Sequence, residues 1–296
     1  MTASALLQFL LTGITVGSVY ALVALGFTLI YNATGIINFA QGEFVVLGGL
    51  LFFTFVEVLH WPLALSLTVA VATVALIALV VERLAIRPLM DHPVVSRIIV
   101  TIGLSVILRG SAKLIWGVDA HAVKPFSGEA SLMIGGAALQ AQYLWVLGLT
   151  ALAVIAVRLF FDRTLVGKAM QACAINPEAA RLVGISVPRM VQASFALSAG
   201  ISALAGAVIA PVTFASYDAG IVLGVKGFCG AIIGGLGNGL GAVLGGVLVG
   251  VLENLGVGLA PTGFAGLQDA FAFLILLLVL FLRPQGLLSR QRTEGV

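Results

Sequence analysis

The stretch ALLQFLLTGITVGSVYALVALGFTLIY, residues 5–31, decides the fold because it is long, apolar and free of charged residues. A helix needs roughly 20 apolar residues to cross the hydrocarbon core of a bilayer, and this run exceeds that length. No Lys or Arg precedes the run, although a cleaved signal peptide carries a basic segment there. The stretch therefore predicts a retained transmembrane helix at the start of the chain.

The composition of the whole chain favours the same class of protein. Of its 296 residues, 60% are hydrophobic and only 9% are charged, whereas soluble domains average about 25% charged residues. The net charge of +3 comes from basic residues in short loops between apolar runs. That distribution is typical of membrane proteins and argues against a nucleic-acid-binding surface.

Further apolar runs of membrane length follow the first one. Because each span must satisfy its own backbone hydrogen bonds, we expect helices throughout. We predict an all-α polytopic membrane protein with about eight transmembrane helices and one short or re-entrant helix at 221–236. The predicted spans are 5–31, 43–59, 62–82, 96–116, 141–160, 191–212, 238–257 and 266–283.

The loop charges predict the orientation of these spans. Basic residues concentrate in the 83–97 loop, in the 158–190 stretch and in the tail from Arg283 onward, which we therefore place in the cytoplasm. The 117–140 loop has few basic residues, so it faces outward, and its small residues predict a hairpin. Counting the crossings between these points places the N-terminus outside and the C-terminus in the cytoplasm.

Glycine is frequent, with 36 residues in all. Small residues let helices approach closely where lipid supplies no hydrophobic drive for association. We therefore predict tight helix contacts at the glycines of the first span and of the late region. The tetrapeptide Val-Leu-Gly-Gly occurs at 46–49 and at 243–246, which hints at an internal repeat. The glycines in question are Gly13, Gly17, Gly230, Gly234, Gly241, Gly245 and Gly250.

Polar residues interrupt the apolar pattern at 32–43 and again at 216–238, and the first segment contains no Lys or Arg. Irregular polar backbone at membrane depth is tolerated where it is buried in protein or lines a cavity. A broken helix there would present free backbone N–H groups to a carboxylate. The alternative is a short buried turn. The candidate pathway residues are Asn32, Thr34, Asn38, Gln41, Glu43, Tyr217, Asp218 and Asn238.

Arg109 and Lys113 lie four residues apart on one face of the 96–116 span. Charges inside a membrane are costly, so they point to a function. Either side chain is a candidate to attract an anionic substrate or to meet Asp119 or Asp218, and Lys113 is close enough to the outer surface to snorkel. Arg109 is added to the candidate pathway residues. For Glu253, near the end of its span, we expect a structural pairing with a cation.

The 161–190 stretch contains a short, sharply bounded helix. Asn176 is a good N-cap, Pro177 suits the first helical position, and Glu178 favours the positive end of the helix dipole. Gly184 is a natural stop. The predicted helix, Pro177 to Val183, has about two turns and would be marginal alone, so it needs a packing partner.

The sequence PEAARLVGI around this helix resembles the Glu-Ala-Ala coupling-loop signature of ABC importer permeases. In that family the loop docks on the ATPase subunit and transmits its motion to the membrane helices. Residues 21–49 and 224–254 resemble the signature and the glycine-rich C-terminal segment of branched-chain amino acid permeases of the LivH type, and the likeness covers nearly the whole chain. The ATPase-coupling residues that the resemblance implies are Asn176, Pro177, Glu178, Ala179, Ala180 and Gly184.

The resemblance implies one permease domain, 1–296, with the coupling loop 161–190 inside it, in the bacterial inner membrane. It implies a second related permease as heterodimer partner, two ATPase subunits and a periplasmic substrate-binding protein. ATP and Mg would be bound by the partners, and no cofactor by this chain. Leucine, isoleucine and valine are the expected cargo, and urea, short amides and aromatic carboxylates stay open as alternatives.

Two other classes of function are weighed against this one. A self-sufficient secondary transporter explains the broken segments but leaves the 176–184 helix without a partner. A membrane enzyme is disfavoured, because the sequence has neither a phosphate-binding loop nor a nucleophile–base or metal-binding constellation. Cys173 and Cys229 lack a partner motif for a disulfide or zinc site. The three histidines, His60, His92 and His121, are interpreted as solvated.

Overall fold

The structure is a computed structural model that describes residues 3–90, 92–128, 130–259, 268–283 and 285–288. These residues are mostly helical, and one two-stranded antiparallel sheet pairs β1 (Ser131–Ile134) with β2 (Ala137–Gln140). The helices are α1 (Ala3–Thr34), α2 (Gln41–Phe53), α3 (Leu63–Val81), α4 (Val94–Trp116), α5 (Ala141–Arg163), α6 (Leu165–Ile175), α7 (Pro177–Leu182), α8 (Val187–Thr213), α9 (Ala219–Gly234), α10 (Gly239–Leu259) and α11 (Gln268–Leu282).

Within the described residues, seven helices are long and apolar enough to cross a membrane, which confirms the polytopic membrane class. They are α1, α2, α3, α4, α5, α8 and α10, with α2 prolonged by a π-helical turn at Thr54–Val58. Three shorter apolar helices, α6, α9 and most of α11, accompany them in the described part of the chain. The predicted eighth span, 266–283, begins outside the described residues, so the count of eight stays a prediction.

The predicted 83–97 loop is too long. The helix continues after α3 through a π turn, Glu82–Ile86, and a 3₁₀ turn, Arg87–Leu89, and α4 already begins at Val94. Arginine side chains extend to polar surroundings while their backbone stays helical, so a charged residue does not end a helix. The hairpin predicted inside 117–140 is confirmed by β1 and β2.

The bundle has two ends, which we name by their features. The hairpin end carries β1 and β2, and the side chain of Gln8 in α1 joins it through hydrogen bonds to the backbone of Ala138, 3.1 and 2.9 Å long. The α7 end carries α6 and α7. At this end the Arg97 guanidinium donates to the carbonyl oxygen of Thr34, 3.2 Å away, and so caps the last turn of α1.

Glycines allow α1 and α10 to pack backbone against backbone, as predicted. A Cβ atom placed on Gly13 would lie 2.8 Å from the Cα of Val251, and one placed on Gly17 would lie 2.9 Å from the Cα of Val247. Real Cβ atoms do not approach that closely, so only glycine fits. Such close contact lets dispersion forces hold helices together inside a membrane.

Two helices, α2 and α9, begin in the middle of the bundle. The chain turns back after α1 at Gly35, where φ is 69°, and after α8 at Phe214, where φ is 61°. From the middle, α2 runs to the hairpin end and α9 runs to the α7 end. Their first turns touch at Gly42 and Gly224, where a Cβ atom on Gly42 would lie 3.0 Å from the Cα of Gly224. This arrangement confirms the broken helices predicted at 32–43 and 216–238.

Candidate functional site

A buried hydrogen-bond network fixes the start of α2 inside the bundle. The Gln41 amide donates to the hydroxyl of Ser202, 2.7 Å away, and its oxygen accepts from Ser198 at 3.1 Å. Ser198 also lies within 2.8 Å of the carbonyl oxygen of Gly26 in α1. Because every member has a partner in a water-poor interior, the network holds α2 against α1 and α8.

The turn before α2 is formed by two other predicted pathway residues. The Asn38 side-chain oxygen accepts from the backbone of Ala40 at 3.1 Å, and the Thr34 hydroxyl bonds back to Ile30 at 2.7 Å. Both side chains are buried. The backbone N–H of Phe39 donates to the hydroxyl of Thr101, two turns into α4, at 3.2 Å. The segment thus re-enters the bundle rather than staying at its end.

Glu43, in the first turn of α2, lies at the centre of the polar cluster. Its residue is 1% exposed, and its Oε1 atom accepts a 2.8 Å hydrogen bond from Ser105, the midpoint of α4. The Nε atom of Arg109 lies 3.8 Å from the same oxygen. Its second oxygen, Oε2, is buried and has no hydrogen-bond partner. A buried carboxylate oxygen without a partner is costly, so this position points to function.

The start of α9 faces the same carboxylate. A Cβ atom on Gly220 would lie 2.8 Å from Oε2 of Glu43 and 3.0 Å from the carbonyl oxygen of Gly42, so a larger residue there would have to displace the carboxylate. The N-cap residue Asp218 is exposed and makes no side-chain capping bond. The neighbouring Tyr217 ring lies under the ammonium of Lys113, 5.6 Å from its centroid.

Arg109 meets neither of the two carboxylates considered for it, and its attraction of an anionic substrate stays a prediction. The structure pairs Arg109 with Glu43, rather than with Asp119 or Asp218. The cause is the re-entry of the 35–40 segment, which brings the first turn of α2 to the middle of α4. Lys113, an exposed residue one turn further along, contacts Tyr217 as described above.

Two predicted pathway residues lie away from Glu43, at the α7 end. Asn32 donates to the carbonyl oxygen of Gly237 at 3.0 Å. Asn238 accepts from the backbone of Gly241 at 3.1 Å and donates to the carbonyl oxygen of Leu288 at 2.8 Å. These bonds join the end of α1, the turn before α10 and the tail after α11. A role of either side chain in a pathway stays a prediction.

A second buried ion pair lies between α9 and α10. The ammonium of Lys226 is 2.7 Å from Oε1 of Glu253, and the two side chains are 8% and 0% exposed. The ring of Tyr20 in α1 lies beside the ammonium, 5.6 Å from its centroid. This pair confirms the expected pairing of Glu253 with a cation, and it ties three helices together.

Lys226→Gln is expected to destabilise the folded chain by about 3–5 kcal/mol, because it leaves the Glu253 carboxylate buried without its partner. The double substitution K226Q/E253Q should recover most of that loss, since it removes both charges. Thermal unfolding of the purified chain in mild detergent measures both effects. A single variant as stable as the wild type would show that the pair contributes nothing.

The short helix at the α7 end has the predicted N-cap and first residue, and it ends at Leu182, one residue before the predicted Val183. The Asn176 side-chain oxygen accepts from the backbone N–H groups of Glu178 and Ala179, each at 3.0 Å. The helix ends at Leu182, and Gly184 adopts a left-handed conformation with φ of 87°. Ala180 is buried against the protein, whereas Leu182 is 90% exposed. The helix therefore presents an apolar surface away from the bundle.

The sequence did not predict α6, which precedes this helix. The hydroxyl of Thr164 caps α6 by accepting from the backbone of Gly167 at 2.9 Å, a signal that was present in the sequence. Burial of Cys173 in α6 raises the pKa of its thiol, and the nearby Arg181 opposes that shift. The two cysteines are free and buried, and the described residues contain no cluster able to hold a metal ion.

Asn176→Ala is expected to destabilise α7 by about 1 kcal/mol, because it removes the acceptor for two orphan N–H groups. Hydrogen exchange of residues 178–182 should accelerate about fivefold in this variant. Asn176→Asp is the matched control, because a carboxylate caps equally well. Equal exchange in wild type and N176A would contradict the cap.

The interpretation of the histidines as solvated is wrong for His121, although His60 and His92 are exposed. The ring of His121 stacks on Phe53 with centroids 4.4 Å apart and bonds to the carbonyl oxygen of Trp116 at 2.9 Å. Its backbone also pairs with Ala215, just before α9. These contacts of His121 hold the 117–125 segment against the residues that connect α8 to α9.

The fold and the site define a polytopic membrane protein with two helices that begin inside the bundle, a central polar cluster and an exposed short helix at one end. Comparison with known proteins gives the family. The family described as "Branched-chain amino acid transport system / permease component" matches residues 9–280. The chain belongs to this family of permease components, and it is a transport component rather than an enzyme.

Individual relatives are similar over the whole chain. The high-affinity branched-chain amino acid transport system permease protein BraD of Pseudomonas aeruginosa is 32% identical, over 98% of each chain. LivH of Escherichia coli K12, described in the same words, is 31% identical over 98% of this chain and 97% of its own. A probable LivH of Methanocaldococcus jannaschii is 28% identical over 72% of this chain and 73% of its own.

Among solved structures, a chain of PsaBC from Streptococcus pneumoniae in complex with Fab is similar in fold. The TM-score is 0.50 over 94% of this chain and 93% of that chain, with 14% sequence identity. This likeness supports the fold alone.

Proposed function

We propose that this chain is the permease subunit of an ABC importer that moves branched-chain amino acids across the bacterial inner membrane. In this proposal its partners are a second related permease, two ATPases that bind ATP and Mg, and a periplasmic substrate-binding protein. The chain itself is one permease domain, 1–296, with a coupling loop at 161–190, and it binds no cofactor.

The observation that carries the proposal is α7. A six-residue helix is marginal alone, yet this one is capped at both ends and held against the bundle through Ala180. Its outward residues Leu182 and Val183 are 90% and 76% exposed. An exposed apolar pair on a rigid projection is what a partner groove recognises. An ATPase that moves α7 moves α8, because only four residues separate the two helices.

The charge distribution supports an orientation with the α7 end in the cytoplasm. Basic residues concentrate at that end, as the positive-inside rule requires, and Lys113 and Lys124 lie towards the hairpin end. In this orientation the N-terminus is outside, α11 is the eighth full span, and α9 is the short one. The basic residues at the α7 end are Arg83, Arg87, Arg97, Arg158, Arg163, Lys168, Arg181, Arg189 and Arg283.

The cargo follows from the relatives, whose names specify branched-chain amino acids. Leucine, isoleucine and valine are the expected substrates. Permeases of the same type that carry urea, short amides or aromatic carboxylates form the alternative, and the binding protein of the importer contributes most of the choice among them.

Reconstitution of the whole importer in liposomes tests the proposal. With ATP and Mg on the side of the ATPases and the binding protein on the other, labelled leucine should accumulate, and excess valine should compete. Unlabelled urea, acetamide and phenylacetate should not compete. Accumulation that needs an ion gradient instead of ATP would establish a secondary transporter, and competition by urea or acetamide would reassign the cargo.

A further inference from the structure

We propose that Glu43 and Arg109 bind the two charged groups of a zwitterionic α-amino acid as it passes through the chain. The Glu43 carboxylate receives the α-ammonium group, and Arg109, together with the N-terminus of α9, receives the α-carboxylate. This inference rests on the proposed function and adds the residues with which the permease itself recognises its cargo.

The cation-binding half of the site is the free oxygen of Glu43. The Glu43 side chain is 2% exposed, and while Oε1 bonds to Ser105, Oε2 has no partner and lies against Gly220. A buried carboxylate oxygen accepts a charge-assisted hydrogen bond more favourably than any neutral group does. An ammonium group has three hydrogen-bond donors and a positive charge. It can therefore donate to Oε2 of Glu43, the oxygen that lacks a partner.

The anion-binding half combines three positive contributions. The first turns of α2 and α9 meet at Gly42 and Gly220, and neither helix has a side-chain N-cap. The helix dipole makes each of these ends attractive to an anion, although at α2 the N–H groups of Gln41 and Glu43 already donate to the carbonyl oxygens of Asn38 and Ala40. Arg109 adds a full positive charge, and among the residues that the structure describes Glu43 is the carboxylate that forms an ion pair with it. The Glu43 carboxylate therefore faces two helix N-termini and the Arg109 guanidinium, so positive charge exceeds negative charge here. The carboxylate of the substrate adds a second negative charge and brings the two closer to balance.

The contact between Glu43 and Arg109 is loose enough to admit a substrate. Its 3.8 Å separation exceeds hydrogen-bond length, and the Arg109 side chain is 24% exposed. The Lys226–Glu253 pair differs on both counts, with a 2.7 Å bond and a cation only 8% exposed. Arg109 is therefore accessible from outside the chain, whereas both side chains of the Lys226–Glu253 pair are buried.

A small, mostly apolar recess lies between α2, α8 and α9 and begins two residues beyond Glu43 along α2, but it is too small in this conformation for a leucine side chain. Gly49 and Gly206 bring the backbones of α2 and α8 into contact beside it, since a Cβ atom on Gly206 would fall on the carbonyl oxygen of Val45. Its lining includes Val45, Val46, Gly49, Gly206, Ile209 and Leu223.

The arrangement excludes the neutral cargo alternatives on chemical grounds. Urea and short amides carry neither charge, so they would leave Oε2 of Glu43 without a cationic partner inside the membrane. A carboxylate without an ammonium group would place its charge beside Glu43. A zwitterion satisfies both residues at once, which is how a polar site rejects an analogue that lacks one group.

Binding of labelled leucine to the complete membrane complex in nanodiscs, without the binding protein, tests this inference. Glu43→Gln and Arg109→Gln should each weaken leucine binding about thirtyfold or more, since each removes one partner of a buried charged contact. Competition gives a second readout. Against the wild type, 4-methylpentanoate and isopentylamine should compete poorly, because each lacks one charged group. In E43Q the disadvantage of 4-methylpentanoate should shrink, and in R109Q that of isopentylamine should shrink.

The double variant E43Q/R109Q separates recognition from a structural ion pair. If the two residues only stabilise the fold, removing both charges restores leucine binding, and that result would overturn the inference. If they bind substrate, the double variant stays as weak as the single ones. K226Q/E253Q is the matched control, expected to keep the wild-type order of competitors. Should E43Q fail to assemble, Glu43→Asp keeps the charge and should retain selectivity at lower affinity, and loss of that selectivity would count against the inference.

Failure of the proposed function gives a different result. A wild-type importer that takes up no amino acid in liposomes removes both the function and this inference. An importer that takes up leucine, and whose E43Q and R109Q variants bind it like the wild type, removes only the inference.

Discussion

Glu178→Lys is expected to lower ATP-driven leucine uptake more than tenfold while the chain stays inserted and folded. Glu178 is in the first turn of α7, where a negative charge favours the positive end of the helix dipole, and it is exposed. A lysine there opposes the dipole and reverses the charge presented to the ATPase, so the contact weakens. Uptake and ATP hydrolysis by the reconstituted importer, measured together, should show hydrolysis without transport.

Asp119→Lys is the matched control, because it makes the same charge change at an exposed position of the hairpin end. Gly184→Val should act like E178K by a different route, since a β-branched residue resists the left-handed conformation at φ of 87°. Normal coupling in both E178K and G184V would contradict the assignment of α7 as the coupling helix.

Gly246→Val is expected to remove most of the folded chain from the membrane fraction. A Cβ atom at Gly246 would fall on the backbone of α1, 2.7 Å from the carbonyl carbon of Tyr20 and closer still to Ala21. Backbone cannot give way as a flexible side chain can, so α1 and α10 must separate along their contact. Fluorescence-detected size-exclusion chromatography of the solubilised protein measures how much of the monodisperse species remains.

Gly148→Val is the control for replacing a glycine by valine inside a membrane helix. Gly148 is also inside a membrane helix, α5, but a Cβ atom there meets no atom within 4 Å in the part of the chain that the structure describes. Both variants change the helix propensity alike, so the difference between them reports the packing. Equal recovery of G246V and G148V would contradict the close approach of α1 and α10.

Those features that depend on local sequence could be predicted. The spans follow from runs of apolar residues, and the boundaries of α7 follow from Asn176, Pro177 and Gly184, whose effects act within a few residues. The close helix contacts follow from glycine spacing. The broken helices follow from polar residues that no loop charge accompanies. Each of these signals lies inside the segment that it describes.

The arrangement of the polar cluster could not be predicted in the same way. Glu43 and Arg109 are 66 residues apart, and their contact depends on how far the 35–40 segment re-enters the bundle. That depth is set by Gln41 bonding to Ser198 and Ser202, which is itself a contact between distant helices. Both residues could therefore be predicted as candidates for the pathway, but their contact with each other could not.

Asn32 and Asn238 show a different limit of prediction from sequence. Their polarity inside apolar surroundings marked them for the pathway, yet they bond to backbone groups at the turn before α10. An asparagine that bonds to backbone groups and one that also lines a pathway have the same sequence pattern, so the pathway role of these two partly exposed residues stays a prediction.

Affinity purification of the chain from its native membrane in mild detergent, followed by mass spectrometry, tests most directly whether it works as one subunit of an importer. We predict recovery of a second related permease and two ATPases with phosphate-binding loops, in stoichiometric amounts. Loss of the ATPases from the purified E178K variant would place their contact at α7. Recovery of the chain alone or as a homo-oligomer, under conditions that preserve other membrane complexes, would contradict the account and favour a self-sufficient transporter.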